Sequence, residues 1–295
     1  MQSVPEILKK IRRLELRTRR FVETAFAGQY HSVFKGRGMN FDEFREYDFG
    51  DEVRSIDWNV TARMGEPYVR KYVEERELTV MLLIDVSASG SYGSVKMSKR
   101  ELAAEVASLL AFCAIRNNDQ VGLILFTDRV EFFIAPRKGR SHILRIIREI
   151  LFYQPKGKRT DLKEPLDFLN RVCTRKAVVF LLSDFHTENY EQAITISSRK
   201  HDLIAIPIED PGELNLPPIG LVHLQDPETG AAYEIDFSSR RVRSEFQRLA
   251  AKERADRENI FRRKQIDSIT LRTDQDYFPP LRTFFLRREK RLKRQ

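Results

Sequence analysis

The sequence predicts an α/β protein built on a doubly wound, mostly parallel sheet. Several short apolar runs of strand length occur without polar interruption, as expected for strands that are buried on both faces. These runs alternate with segments of helical periodicity, which is the order of a doubly wound sheet. With 295 residues, 41% of them hydrophobic, the chain is long enough to bury a large core. We expect three segments: an N-terminal segment 1–76, a central α/β domain 77–238, and a helical C-terminal extension 239–295.

The central domain follows from its elements in order. The runs that predict strands are 78–84, 121–126, 130–135, 177–182 and 203–208, and the segments that predict helices are 98–116, 141–152, 162–172 and 189–200. The polar triplet Thr127–Arg129 joins two of the strands and suits a hairpin. A second hairpin is predicted from strands at 222–224 and 232–237.

The flanking segments have a different character. Apolar residues spaced three and four apart predict an N-terminal helix over 4–27. Residues 41–72 are dense in charge and aromatic side chains, and we interpret them as a strap of loops and short strands that packs on the central domain. A docking surface for a partner is the alternative for this strap. The C-terminal extension is predicted to contain a long basic helix over 240–264, a short strand over 269–272 and a final helix after Pro279-Pro280.

Composition excludes several classes of protein. No stretch approaches the roughly 18 apolar residues that a membrane span needs, and residues 1–20 lack the apolar region of a signal peptide. We therefore expect a soluble, cytoplasmic protein. Cys113 and Cys173 have no zinc-type spacing and are expected to be buried thiols. The five histidines are scattered, and none is predicted to bind a metal.

The net charge of +9 is concentrated at the two ends of the chain. Residues 1–20 carry +5 and residues 240–295 carry +10, which leaves −6 for the segment between them. Basic ends can bind nucleic acid or an acidic surface, but a solvated helix face is the simpler explanation, and we favour it.

Polar side chains follow three of the predicted elements at one edge of the sheet. Asp85, Ser87 and Ser89 come directly after the first strand, Thr160 lies in a polar loop, and Asp184 follows the strand 177–182. Ligands of open α/β sheets bind outside the carboxyl ends of the strands. Carboxylate and hydroxyl oxygens suit a hard cation, so we predict a Mg²⁺ site, with Mn²⁺ as an alternative ion. The simpler interpretation is that Asp85 caps the next helix and that Ser87 and Ser89 form a turn.

The Asp-x-Ser-x-Ser, Thr and Asp loops resemble the metal-ion-dependent adhesion site of von Willebrand factor A-type domains. In addition, the segment Gly38–Arg63 followed by Glu74-Glu75-Arg76-Glu77 is similar to the signature of domain-of-unknown-function family 58, and the similarity extends over about residues 30–285. The resemblance implies that Asp85, Ser87, Ser89 and Thr160 bind the ion directly or through water, and that Asp184 binds mainly through water. Phe185 stands where the adhesion site often has Gly.

The resemblance implies a non-enzymatic interaction module that uses its metal to bind an acidic residue of a protein partner. Family members resemble, and often neighbour, proteins that work with MoxR-type AAA+ ATPases in maturing or assembling other proteins, which implies an adaptor or assembly factor. A magnesium-dependent phosphohydrolase is the first alternative, although Ser87 occupies the position where dehalogenase-type enzymes carry a second acid. Nucleic-acid binding through the basic ends is the second alternative, but no aromatic and basic recognition module supports it.

Overall fold

The computed structural model describes residues 30, 33, 40–73, 77–95, 97–214, 216–225 and 230–292. The helix predicted over 4–27 lies outside these residues. The chain forms two compact units, one over 34–78 and another that contains 79–295 together with Tyr30 and Val33. These units differ from the three predicted segments, because the C-terminal extension belongs to the same unit as the central sheet.

The smaller unit contains two strands and one helix. These elements are β1 (Asn40–Glu46), α1 (Trp58–Met64) and β2 (Tyr68–Val73), and β1 pairs with β2 in antiparallel orientation. Helix α1 begins at Asp57, whose carboxylate accepts hydrogen bonds from the backbone of Asn59 at 2.9 Å and Val60 at 3.2 Å. The short strands agree with the sequence, but α1 was not predicted. The side chains of Phe49 and Trp58 are exposed.

The larger unit is an α/β sheet flanked by helices. Its central elements are β3 (Thr79–Asp85), α2 (Lys99–Arg116), β4 (Gln120–Phe126), β5 (Val130–Arg137), α3 (Arg140–Phe152), α4 (Lys163–Val172), β6 (Val178–Ser183), α5 (Glu191–Lys200) and β7 (Asp202–Glu209). Each of these elements was predicted from the sequence within two residues of its bounds. Strands β3, β4 and β6 are buried almost throughout, as their uninterrupted apolar runs require.

The remaining elements complete this unit. They are α6 (Pro211–Leu214), β8 (Leu221–Gln225), β9 (Ala232–Asp236), α7 (Arg240–Arg263), β10 (Asp267–Ser268), β11 (Leu271–Arg272) and α8 (Phe278–Leu292). Strands β8 and β9 form the predicted hairpin. The predicted strand over 269–272 is replaced by β10 and β11, which both pair with β7 in parallel orientation.

The sheet order places the predicted site at a topological switch point. The seven-stranded sheet runs β10-β7-β6-β3-β4-β5, with β11 also beside β7. Among the described residues, β4 with β5 is the only antiparallel pair of this sheet. Strand β3 therefore has β4 on one side and β6 on the other. After β3 the chain builds β4 and β5 on one side of it, and it then crosses over to build β6 and β7 on the other side. Such a point opens a crevice for ligands in α/β sheets.

The C-terminal extension packs against the sheet unit through aromatic side chains. Phe261 of α7 and Phe285 of α8 are both buried. Phe261 makes an edge-to-face contact with Phe185, with their ring centroids 5.2 Å apart. In the described part of the chain, no helix combines the length and apolarity needed to cross a membrane.

Candidate metal centre

The carboxylate of Asp85 lies at the end of β3 and is held by neutral hydrogen-bond donors. Its Oδ1 accepts from the backbone N–H of Ser87 at 2.9 Å, and its Oδ2 accepts from the hydroxyl of Ser183 at 2.7 Å. The residue is buried, although it ends an apolar strand. Neutral donors orient the two oxygens but do not compensate the negative charge.

The two serines of the loop face each other. The Oγ atoms of Ser87 and Ser89 are 3.0 Å apart, and Ser87 is buried. Two ligands at a right angle around an ion with metal–oxygen distances of about 2.1 Å would be separated by about 3 Å. The serine hydroxyls therefore fit neighbouring positions around a Mg²⁺-sized cation.

The loop that carries Thr160 contacts both of the other loops. The backbone N–H of Ala88 donates to the carbonyl oxygen of Lys158 at 3.0 Å, and the hydroxyl of Thr187 donates to the carbonyl oxygen of Thr160 at 3.0 Å. Thr160 itself is buried. The same loop packs closely on the turn between β4 and β5 at Gly157, because a Cβ atom at this position would lie 2.2 Å from Oγ1 of Thr127.

Asp184, directly after β6, has a different environment from Asp85. Its Oδ2 accepts from Nζ of Lys99 at 2.7 Å, and its Oδ1 accepts from the backbone N–H of His186 at 3.1 Å. Lys99 also donates to Oε1 of Glu213 at 2.5 Å. Behind the loop, the carbonyl oxygen of Asp184 accepts from Nη1 of Arg257 at 3.3 Å, so α7 supports the backbone of this residue.

The two aspartates are close enough to influence each other, and their pKa values move in opposite directions. Burial and the nearby charge of Asp184 raise the pKa of Asp85 to about 7. Burial also raises the pKa of Asp184, but the ammonium of Lys99, the nearby His186 and the hydrogen bonds from both residues together lower it by more, so the net shift is downward. Burial lowers the pKa of Lys99, while Asp184 and Glu213 raise it above its usual value. Asp184 and Lys99 thus form a buried ion pair, and Asp85 carries the uncompensated charge.

Phe185 occupies a backbone conformation that favours glycine. Its φ angle is +60°, in the left-handed region, which costs about 1–2 kcal/mol for a residue with a Cβ atom. The ring is buried between Tyr190 and Phe261, with centroid distances of 5.8 and 5.2 Å. Burial of the ring offsets the backbone strain, which explains how Phe is accommodated where the resembling site often has Gly.

The structure brings all three predicted loops together at the carboxyl edge of the sheet. Asp85, Ser87 and Ser89 form one cluster, Asp184 lies within electrostatic range of Asp85, and the Thr160 loop is bonded to both neighbouring loops. The donor set of one uncompensated carboxylate and paired hydroxyls fits a hard cation. The assignment of these five residues as metal ligands stays a prediction.

Sequence reasoning missed three residues around this site. Ser183 orients Asp85, and its position as the last residue of a buried strand before an Asp was an available signal. Lys99 and Glu213 had no local signal, because Lys99 reaches Asp184 from 85 residues upstream and Glu213 lies 114 residues downstream of Lys99. His186 was predicted not to bind metal. Its ring nitrogen and carboxylate oxygens of Asp184 and Glu213 lie within 4.8 Å of one another.

The fold and this cluster define an α/β protein with a doubly wound sheet and a polar site at its switch point. The chain belongs to the family described as "Protein of unknown function DUF58", which matches residues 43–256. It is 31% identical to the uncharacterized protein Rv1480 of Mycobacterium tuberculosis over 289 residues, which cover 97% of this chain and 91% of the relative. A protein of Mycobacterium bovis, Mb1516, shows the same identity and coverage.

Two solved structures from Bacteroides are similar to this chain at a low level. An aerotolerance-related membrane protein from Bacteroides fragilis is 17% identical, with a TM-score of 0.47, over 72% of this chain and 99% of the other. The conserved hypothetical protein BatB from Bacteroides thetaiotaomicron is 15% identical, with a TM-score of 0.43 and the same coverage.

Proposed function

We propose that this protein is a non-enzymatic interaction module whose α/β unit is von Willebrand factor A-like and whose metal site binds an acidic residue of a protein partner. The observation that carries the proposal is the cluster of Asp85, Ser87 and Ser89 at the switch point, with one uncompensated carboxylate and two hydroxyls 3.0 Å apart. The ion would be Mg²⁺ or Mn²⁺, held by these residues together with Thr160 and Asp184. When bound, it supplies a positive charge with positions open to an outside carboxylate.

The surroundings of the site support an acidic ligand. Lys158 and Arg159 precede Thr160 and are both exposed at the loop that contacts Ala88. Exposed basic side chains beside a metal would attract a carboxylate and repel a competing basic residue. The partner that we propose is a MoxR-type AAA+ ATPase, with the protein acting as an adaptor or assembly factor, as the family resemblance implies.

The proposed role is favoured over phosphate-ester hydrolysis by the environment of Asp85. Ser87 stands where dehalogenase-type enzymes carry a second acid, and its backbone N–H donates to Oδ1 of Asp85. Nucleic-acid binding is disfavoured because several cations of α7 are already paired within the chain: Arg248 with Glu245, Arg254 with Glu258, Arg257 with Glu209, and Arg263 with Glu191.

The test is a binding measurement between the immobilised full chain and a purified MoxR-type ATPase of the same organism. We expect binding in Mg²⁺ that weakens at least tenfold in EDTA and in Asp85→Asn. The matched control Asp236→Asn removes an exposed carboxylate at the end of β9 and should bind like the unmodified chain. Binding that survives both EDTA and Asp85→Asn would contradict a metal-dependent site. An absence of binding under all conditions would contradict the choice of partner.

Two further assays would favour the alternatives. Turnover of a generic phosphate ester that is lost in Asp85→Asn would favour a phosphohydrolase. Tight, salt-sensitive retardation of nucleic acid in a gel would favour nucleic-acid binding.

A further inference from the structure

Lys99 occupies a position that is unfavourable for a cation in two respects. It is the first residue of α2, where the helix macrodipole disfavours positive charge, and its side chain is only 3% exposed. The helix does not need it as a cap, because Ser98 and Glu101 form a complete capping box. Its presence therefore has to be explained by what its ammonium contacts.

The ammonium lies between two carboxylates at the edge of the candidate metal centre. Nζ is 2.7 Å from Oδ2 of Asp184 and 2.5 Å from Oε1 of Glu213. Ligand atoms of Asp184, His186 and Glu213 lie within 4.8 Å of one another, a spacing that would suit a metal ion. This group already has a cation, so we assign no second metal site here.

We propose that Lys99 is a resident cation that offsets the charge of Asp184 and thereby sets how tightly the site binds its divalent ion. The inference rests on the proposed function, because it concerns the same metal site. The charges of Asp85, Asp184 and Glu213 sum to −3, and the ammonium of Lys99 reduces the total to −2. A divalent ion in the site then keeps more positive charge toward a carboxylate from outside.

A purely structural ion pair is the competing explanation, and it predicts a different response to metal. Loss of a structural pair would lower stability with no change in affinity for a divalent ion. If Lys99 offsets the charge of Asp184, removal of the lysine charge should strengthen metal binding, because the carboxylate of Asp184 then attracts the ion without compensation. The effect must disappear when Asp184 is also neutralised, which a double-mutant cycle measures.

The experiment is isothermal titration of the full chain with Mn²⁺ alone, supported by thermal unfolding in EDTA and in Mn²⁺. We expect Lys99→Met to bind Mn²⁺ at least tenfold more tightly than the unmodified chain and to recover in Mn²⁺ the thermal stability that it loses in EDTA. Lys99→Arg keeps the charge and should remain within about threefold of the unmodified chain. Lys176→Met removes an exposed lysine at the opposite end of β6 and serves as the matched control.

The double variant Lys99→Met/Asp184→Asn separates the two explanations. We expect it to lose the tenfold gain, whereas a gain that persists in this background would overturn the inference. Equal affinities of Lys99→Met and the unmodified chain would also overturn it and would leave the proposed metal site intact. If neither chain binds Mn²⁺, the proposed function fails together with the inference.

If Lys99→Met does not fold, the Mn²⁺ affinity of Asp184→Asn still tests the inference. In Asp184→Asn with Lys99 present, the resident cation predicts a loss of Mn²⁺ affinity of less than about tenfold, because Asp184 is already compensated. A complete loss of binding in this variant would make Asp184 a dominant ligand and would overturn the inference.

Discussion

Asp85 and Asp184 end neighbouring strands of one sheet, yet they are held in opposite ways. Asp85 accepts hydrogen bonds from the backbone N–H of Ser87 and from the hydroxyl of Ser183, and burial together with the charge of Asp184 raises its pKa to about 7. Asp184 is paired with the ammonium of Lys99, and this charge, together with the nearby His186 and the hydrogen bonds, brings its pKa below the usual value despite burial. Two equivalent positions in the topology therefore carry one carboxylate that is held by neutral donors and one that is held by a cation.

The largest effect on stability is expected at Asp184. Asp184→Asn leaves the buried ammonium of Lys99 with Glu213 alone, and breaking a buried pair typically costs about 3 kcal/mol or more. Urea unfolding in EDTA measures this loss, with Asp236→Asn as a control that should unfold like the original chain. If Asp184→Asn were as stable as the original chain, the ion pair of Lys99 with Asp184 would contribute nothing to the free energy of unfolding. The proposed difference between Asp85 and Asp184 would then be wrong.

A smaller effect is expected from a buried titratable group outside the site. His201 accepts a hydrogen bond at Nδ1 from the backbone N–H of Ala177, and burial lowers its pKa to about 4. Because the folded state binds the proton more weakly than the unfolded state, this contribution to stability is complete above pH 6.5 and is lost as the pH falls toward 4. Between pH 8 and pH 5 we expect a loss of about 1–2 kcal/mol from this residue.

The variant His201→Asn tests this assignment, since its side-chain oxygen can still accept from Ala177 but cannot be protonated in this range. Urea unfolding at pH 8 and pH 5 should give a smaller difference for the variant than for the original chain. Identical pH dependence would assign the loss to other groups. The comparison thus shows how much of the loss of stability between pH 8 and pH 5 comes from His201, which keeps it apart from effects at Asp85 and Asp184.

The smallest effect on stability is expected at Asp85, and its sign is opposite to that at Asp184. Asp85→Asn removes a desolvated charge that is repelled by Asp184, while its side-chain oxygen can still accept from Ser87. In EDTA we expect unchanged stability or a gain of up to about 1 kcal/mol, as is common when a binding residue is neutralised. A loss greater than about 2 kcal/mol in urea unfolding would instead support the turn-and-cap interpretation of this loop.

The sheet could be predicted from the sequence because its strands are buried on both faces. Runs such as Val178–Leu182 are continuous in apolar residues and need no tertiary information. Helix α1 could not be predicted in this way, since none of its residues is buried and it has no apolar period. Its only local signals are the cap at Asp57 and the left-handed Gly65.

Only the residues of the site that carry a local sequence signal could be predicted. Asp85, Ser87 and Ser89 form a short motif, and the position of Asp184 after a buried strand follows from the order of elements. Lys99 could not be assigned, because the first turn of a helix says nothing about a carboxylate 85 residues away in sequence. The left-handed backbone conformation of Phe185 could not be predicted either, because it depends on the packing of its ring against Phe261 of the C-terminal extension.

The most direct test of a metal centre at the switch point is titration of the full chain with Mn²⁺, compared with Asp85→Asn and Asp236→Asn. We predict saturable binding of one ion by the original chain and by Asp236→Asn, and a loss of at least tenfold in affinity in Asp85→Asn. Equal binding by all three chains, or no binding by any of them, would contradict the assignment of Asp85 and its two serines as the centre of the site.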